Sequence, residues 1–155
     1  MSVSHLVRAA LFVRDIERAA DFYRDVLGLT VTYWEGALNH PAALPLIGAD
    51  PSAKLRARII QPPGPSFGMV GLFELTPPPP AVRKREDGVN LGEAVLVFYA
   101  ADLDPIVARL EAGGHRILCP PMFLQVTPER GQREMTCADP DGFLVNLIER
   151  DDRLA

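Results

Sequence analysis

Asp139-Pro140-Asp141-Gly142 sets two carboxylates two residues apart, and Cys137 stands two residues before them. Paired carboxylates do acid–base work when their surroundings push their proton affinities apart. Here the spacing has a simpler source. Proline presets one turn angle and glycine supplies another, so the four residues read as a hairpin turn and receive no acid–base role. As a nucleophile, Cys137 needs a base or a positive field to become a thiolate, and none is near it in sequence. It reads as core, and Cys119, before Pro120-Pro121, reads as a strand end. Arg133 and Glu134 alternate on the strand leading into the turn, so one of them faces any site on that sheet. Tyr99 shares a strand face with Val95 and Val97 and is either a site hydroxyl or half-buried wall. Tyr33 and Trp34 end another strand, and one of them turns inward as aromatic surface.

The elements that must position these groups are written twice. Leu6 to Val13 alternates as a strand. Asp15 is placed to cap a helix whose apolar face is Ile16, Ala20, Tyr23 and Leu27, and Gly28 ends it. Strands are expected at Leu29–Trp34, Leu55–Gln61 and Gly68–Thr76, with the Pro62-Pro63-Gly64-Pro65 turn between the last two. Phe98 to Leu103 opens the second copy. An apolar strand from Glu93 to Ala100 precedes Asp104-Pro105, read as helix cap and first helical residue. The stripe Leu103, Val107, Leu110 follows, and Gly113-Gly114 ends the helix. Strands at His115–Cys119, Arg133–Ala138 and Phe143–Glu149 complete it. The pattern predicts one domain over residues 1–155: a βαβββ module at 3–76, a proline-rich linker at 77–90 and a second βαβββ module at 91–150. Paired modules imply a cleft for a small molecule. The Gly36–Ser52 stretch reads as an inserted loop or short irregular helix, a candidate lid.

Composition excludes several functions. At 155 residues and 48% hydrophobic, the chain can bury a core. A net charge of −4 argues against nucleic acid as partner. No apolar run is long enough to span a bilayer, and the first five residues lack a secretory signal. Two cysteines do not make a disulfide scaffold. Arg83-Lys84-Arg85 reads as solvated linker, because Glu86 and Asp87 follow at once. A cytoplasmic protein without membrane partner is expected.

Val13-Arg14-Asp15-Ile16 through Asp21-Phe22-Tyr23 to Leu27-Gly28-Leu29, Phe73-Glu74-Leu75, Asp102-Leu103-Asp104 and Asp139-Pro140-Asp141-Gly142-Phe143 together resemble the vicinal oxygen chelate superfamily, which holds glyoxalases, bleomycin resistance proteins and extradiol dioxygenases. The resemblance covers nearly the whole chain. It implies an α+β fold in which two βαβββ modules form a curled sheet around a cleft, often in a homodimer. In metal-dependent members the first and last strands of each module supply His, Gln or Glu to one divalent cation.

Carried over position by position, the resemblance implies Arg8 and Glu74 for module one, and Val95 (with Glu93 two residues away) and Asn146 for module two. Arginine has no lone pair to offer a cation, valine has no donor, and an amide oxygen binds only weakly. Glu74, with Glu93 or Asn146, is what remains for a metal. Strand parity sets His5 off the face of Arg8, and His40 and His115 read as surface or capping residues. Arg8 and Glu74 are expected to pair across the sheet and fill the metal's place, so no cofactor is expected, a divalent metal being the alternative. The function expected is metal-free binding or sequestration of a small organic ligand, bleomycin-resistance-like, by Arg8, Glu74, Glu93, Tyr99, Asn146 and Trp34. The alternative is a glyoxalase- or dioxygenase-like lyase or isomerase, with Glu74 as base or metal ligand and Arg8 holding an oxyanion.

Overall fold

The computed structural model describes residues 4–81 and 90–149. They fall into two compact units, one within Met1–Lys84 and one within Arg85–Ala155. The basic and acidic run 83–88, the first three residues and the end of the second module at 150 lie outside the described residues. Among those described, no helix is long and apolar enough to cross a membrane.

The first unit runs β1 (Arg8–Phe12), α1 (Ile16–Asp21), a π-helical turn (Phe22–Val26), β2 (Val31–Ala37), α2 (Ala43–Leu46), β3 (Lys54–Gln61) and β4 (Met69–Thr76). Its sheet has the order β1-β4-β3-β2, with β1 parallel to β4 and the other pairs antiparallel. The second unit repeats it: β5 (Val95–Ala100), α3 (Asp104–Ala112), β6 (Ile117–Thr127), β7 (Arg130–Ala138) and β8 (Leu144–Glu149). Its order is β5-β8-β7-β6, with β5 parallel to β8. Each unit is therefore a βαβββ module with a mixed four-stranded sheet. The Asp139–Gly142 turn joins β7 to β8, and Asp139 Oδ1 accepts the backbone N–H groups of Asp141 and Phe143 at 2.9 and 2.8 Å. Gly142 takes the left-handed φ of 93° that the turn needs.

Asp15 begins α1 as its residue type predicts, accepting the N–H groups of Glu17 and Arg18. Ile16, Ala20 and Tyr23 are buried, but the last apolar position departs from simple helical spacing. The π turn adds a residue, so Val26 is buried and Leu27 only partly so, while Phe22 and Tyr23 both turn inward and meet edge to face at 5.2 Å. In the second unit the helix starts one position earlier than the Asp-Pro signal suggests. Asp104 is already helical, Leu103 is the cap position, and Asp102 Oδ1 accepts the Asp104 N–H. That register buries Leu103, Ile106 and Leu110 and leaves Val107 at the margin.

Both helices are tied to their sheets by the same device. Glu74, near the end of β4, accepts the Ile16 N–H at 2.8 Å. Glu149, at the end of β8, accepts the Leu103 N–H at 2.9 Å. A carboxylate at a helix start meets otherwise unsatisfied donors and the positive end of the helix dipole. Fifty-nine positions separate Asp15 from Glu74 and 47 separate Asp102 from Glu149, so the first unit is longer by 12 residues. The extra length lies between β2 and β3, where Gly36 and Ala37 prolong β2 and α2 follows.

Glu74→Ala and Glu149→Ala should each lower stability by about 1–3 kcal/mol, since a buried helix N–H loses its acceptor. Urea midpoints at pH 7 check this, and variants as stable as the parent would show that the bonds hold nothing together.

Candidate functional site

Register decides which side chains share a face. In unit one α1 packs on β3 and β4. Glu17 of α1 pairs with Arg56 at 3.1 Å and Arg58 at 2.9 Å, and Glu35 of β2 closes on Arg58 at 2.6 Å. The Arg58 hydrogen bond holds the Glu35 carboxyl below its ordinary value. Arg56 stands opposite Glu74, and Arg58 opposite Leu72. These residues, with Leu11 of β1, therefore lie on the α1 side. The opposite face carries Arg8, Ala10 and Phe12 of β1, then Met69, Gly71 and Phe73 of β4, Ala57 and Ile59 of β3, and Trp34 and Gly36 of β2. Its central positions Ala57, Ile59 and Met69 are buried. Along its edges Arg8 and Ala10 are exposed, as are Phe12 at 41% and Trp34 at 37%.

The expected Arg8–Glu74 pair does not form. Arg8 stands opposite Met69, five residues before Glu74, which is roughly 16 Å along a strand. The two also point to opposite faces, and Glu74 is taken up by α1. The repeat explains the misplacement. Glu74 is the counterpart of Glu149, since both bond to a helix start. Asn146 stands opposite Val97, two positions after the Val95–Leu144 pair. The matching place in unit one, opposite Ala10 and two positions after Arg8–Met69, is Gly71. The four equivalent positions are thus Arg8, Gly71, Val95 and Asn146. A matching of Leu72-Phe73-Glu74 to Leu147-Ile148-Glu149 was the available signal.

Gly71 has a steric reason. A Cβ built there would lie 2.9 Å from the Phe73 ring and 3.4 Å from Arg8 Cδ. The Arg8 stem and the Phe73 ring thus lean over bare backbone, and Phe73 meets Phe12 with ring centroids 6.0 Å apart.

In unit two Arg133 pairs with Asp104 of α3 and with Glu149 at 3.0 Å, which puts it on the helix side. Glu134 is therefore the member of that pair on the opposite face. With it lie Thr136, Asn146, Ile148, Val95, Val97 and Tyr99. Val97 is 58% exposed and Tyr99 47%, so a ligand can reach them. Asn146 Nδ2 donates to Met135 O at 3.2 Å and Thr136 Oγ1 at 3.3 Å. Gln132 donates its amide to Glu134 Oε1. Glu93 is not on this face, since it precedes β5 and its carboxylate accepts the Asn90 N–H at 2.9 Å.

The remaining groups do other work. His40 Nδ1 accepts the Ala42 N–H, and His5 precedes β1 with its ring 6.1 Å from Phe67. Tyr33 falls in the irregular stretch of β2 between Thr32 and Trp34. Cys137 is fully buried, and burial, then the Asp139 carboxylate, pushes its thiol up to about 11. Cys119 is partly exposed, with Sγ 3.4 Å from Met122 Sδ. Among the described residues, no three His, Cys, Asp or Glu side chains gather where they would hold a metal ion.

A βαβββ unit built twice defines the glyoxalase-like α+β class. The family model Glyoxalase/Bleomycin resistance protein/Dioxygenase superfamily matches residues 3–147, and the chain belongs to that superfamily. It is similar in fold to a glyoxalase family protein from Bacillus cereus, with 21% identity, TM-score 0.76, and 96% of this chain and 97% of that one covered. A superfamily member from Sphaerobacter thermophilus matches at 24% identity and TM-score 0.56 over 97% and 100% of the two chains. Glyoxalase I from Zea mays matches at 15% identity and TM-score 0.62 over 96% of this chain and 45% of that one. The comparison with curated proteins found no match.

Arg8→Ala and Glu74→Ala should act independently. The double-mutant cycle is expected to give a coupling below about 0.5 kcal/mol, whereas a true ion pair would exceed it. Cys119 should react with a disulfide reagent at pH 8 while Cys137 stays protonated and unreactive until denaturant is added. Two thiols titrating in the native protein would contradict the burial of Cys137.

Proposed function

We propose that the chain binds a small organic ligand on the sheet faces opposite α1 and α3, without a divalent metal and without turnover. The reading rests on one observation, the residue types at Arg8, Gly71, Val95 and Asn146. A divalent cation wants several carboxylate, imidazole or thiolate donors at these places. In unit one Arg8 and Gly71 offer no donor, and Arg8 adds a positive charge that repels a cation; in unit two Val95 and Asn146 offer one neutral amide oxygen. The residues present do not fit the metal. What they fit is a ligand with an apolar body and a few polar atoms. Phe12, Phe73 and Trp34 present aromatic surface on one face. Val97, Tyr99 and Ile148 surround Thr136, Asn146 and Glu134 on the other. Few polar groups on an apolar wall suit amphipathic molecules. A lyase or isomerase working through Glu74 and Arg8 is not favoured, because those side chains lie on opposite faces.

Trp34 is the only tryptophan, so intrinsic fluorescence reports from the unit-one face. Metal-stripped protein should melt within about 1 °C of its own midpoint when Ni²⁺, Zn²⁺, Mn²⁺ or Fe²⁺ is added. An ion at 100 times its Kd would add about 2.7 kcal/mol and shift the midpoint by several degrees. The same stripped protein should bind members of an aromatic and amphipathic panel saturably and return them unchanged. Stoichiometric metal in freshly purified protein, or conversion of a bound compound, would overturn the reading.

A further inference from the structure

We propose that the β1 edge of the unit-one face is a recognition site for an aromatic carboxylate, with Arg8 taking the acid group and Phe12 and Phe73 taking the ring. The proposal rests on the ligand-binding reading and names its ligand class. Four arginines, Arg24, Arg56, Arg58 and Arg133, are already paired with carboxylates of the chain. Among the described residues no carboxylate is paired with Arg8, which is exposed at the start of β1. Its stem packs over the bare backbone of Gly71, 3.4 Å from where a Cβ would stand, and the Phe73 ring leans in from the other side. The guanidinium is thus carried by a packed stem, which lowers the cost of holding it in place.

The surroundings of that charge select the ligand. The Arg8 stem and the Phe73 ring already cover Gly71, so the surface open to a flat body is Ala10 and the outer side of the Phe12–Phe73 pair. A ring laid there meets aromatic surface, and its acid group, placed toward Arg8, meets a planar fork that donates to both carboxylate oxygens. An amine or an inorganic cation meets like charge. The chain as a whole is acidic at −4, so attraction for an anion must come from this local cation, and salt should weaken it.

The test uses the full chain, isothermal titration calorimetry and a matched pair of probes, 2-naphthoate and the neutral 2-naphthalenemethanol, with inorganic phosphate as a ring-free anion. The acid should bind at least ten times more tightly than the alcohol, and phosphate should not bind. Arg8→Gln should remove that preference, cutting the acid's affinity at least tenfold and the alcohol's far less. Arg8→Lys should restore only part of it, and Phe12→Ala should weaken both naphthyl probes. Circular dichroism melts confirm that each variant is folded. Equal affinity of the parent for acid and alcohol, or acid binding untouched in Arg8→Gln, overturns the inference and leaves metal-free binding standing. Phosphate binding as tightly as naphthoate overturns the aromatic part. Failure of the acid to bind at about 1 mM, near −4 kcal/mol, overturns it too, and only if no panel compound binds does the broader reading fall with it.

Discussion

Each module is closed by one carboxylate that reaches from the end of its last strand to the first turn of its helix. Glu74 spans 58 residues of sequence to the Ile16 N–H, and Glu149 spans 46 to the Leu103 N–H. These bonds join the start of a module to its finish and decide which side of the sheet the helix covers. Everything about the candidate site follows from that choice. Strand side chains alternate, so once Glu74 faces α1, Gly71 and Phe73 must face away, and Arg8 with them.

The fold was legible in the sequence because its signals are local. Asp15 before an amphipathic run, Gly28 after it, and the Asp139–Gly142 turn each act within a few residues, and each stands where its chemistry requires. Two local irregularities were not legible. The π turn moved the buried position from Leu27 to Val26, and the break between Thr32 and Trp34 reset the parity of β2. Both insert a residue without changing residue type, so periodicity alone passes over them.

The site was harder to read than the fold, for a physical reason. Arg8, Tyr99, Asn146 and Trp34 do lie on the faces opposite the helices. Glu74 and Glu93 are the most reactive-looking residues of the expected set, and both are occupied by backbone N–H groups. A carboxylate near the end of a strand looks the same in sequence whether it waits for a ligand or holds a helix from tens of residues away. Phe73 and Gly71 were missed as face residues, and the choice between Arg133 and Glu134 stayed open, because parity on their strands depends on register, which only the paired sheet supplies.

The tip of the β6–β7 hairpin shows what the second unit leaves unguarded. From Met122 to Thr127 the outermost strand carries no charge, and Met122, Phe123, Leu124 and Val126 are all exposed. Lysine or glutamate on a border strand usually keeps neighbouring molecules from zipping onto it, and the two prolines earlier in β6 protect only its first half. Solubility at high concentration therefore depends on six residues of this one border strand, the first of which, Met122, stands beside Glu134.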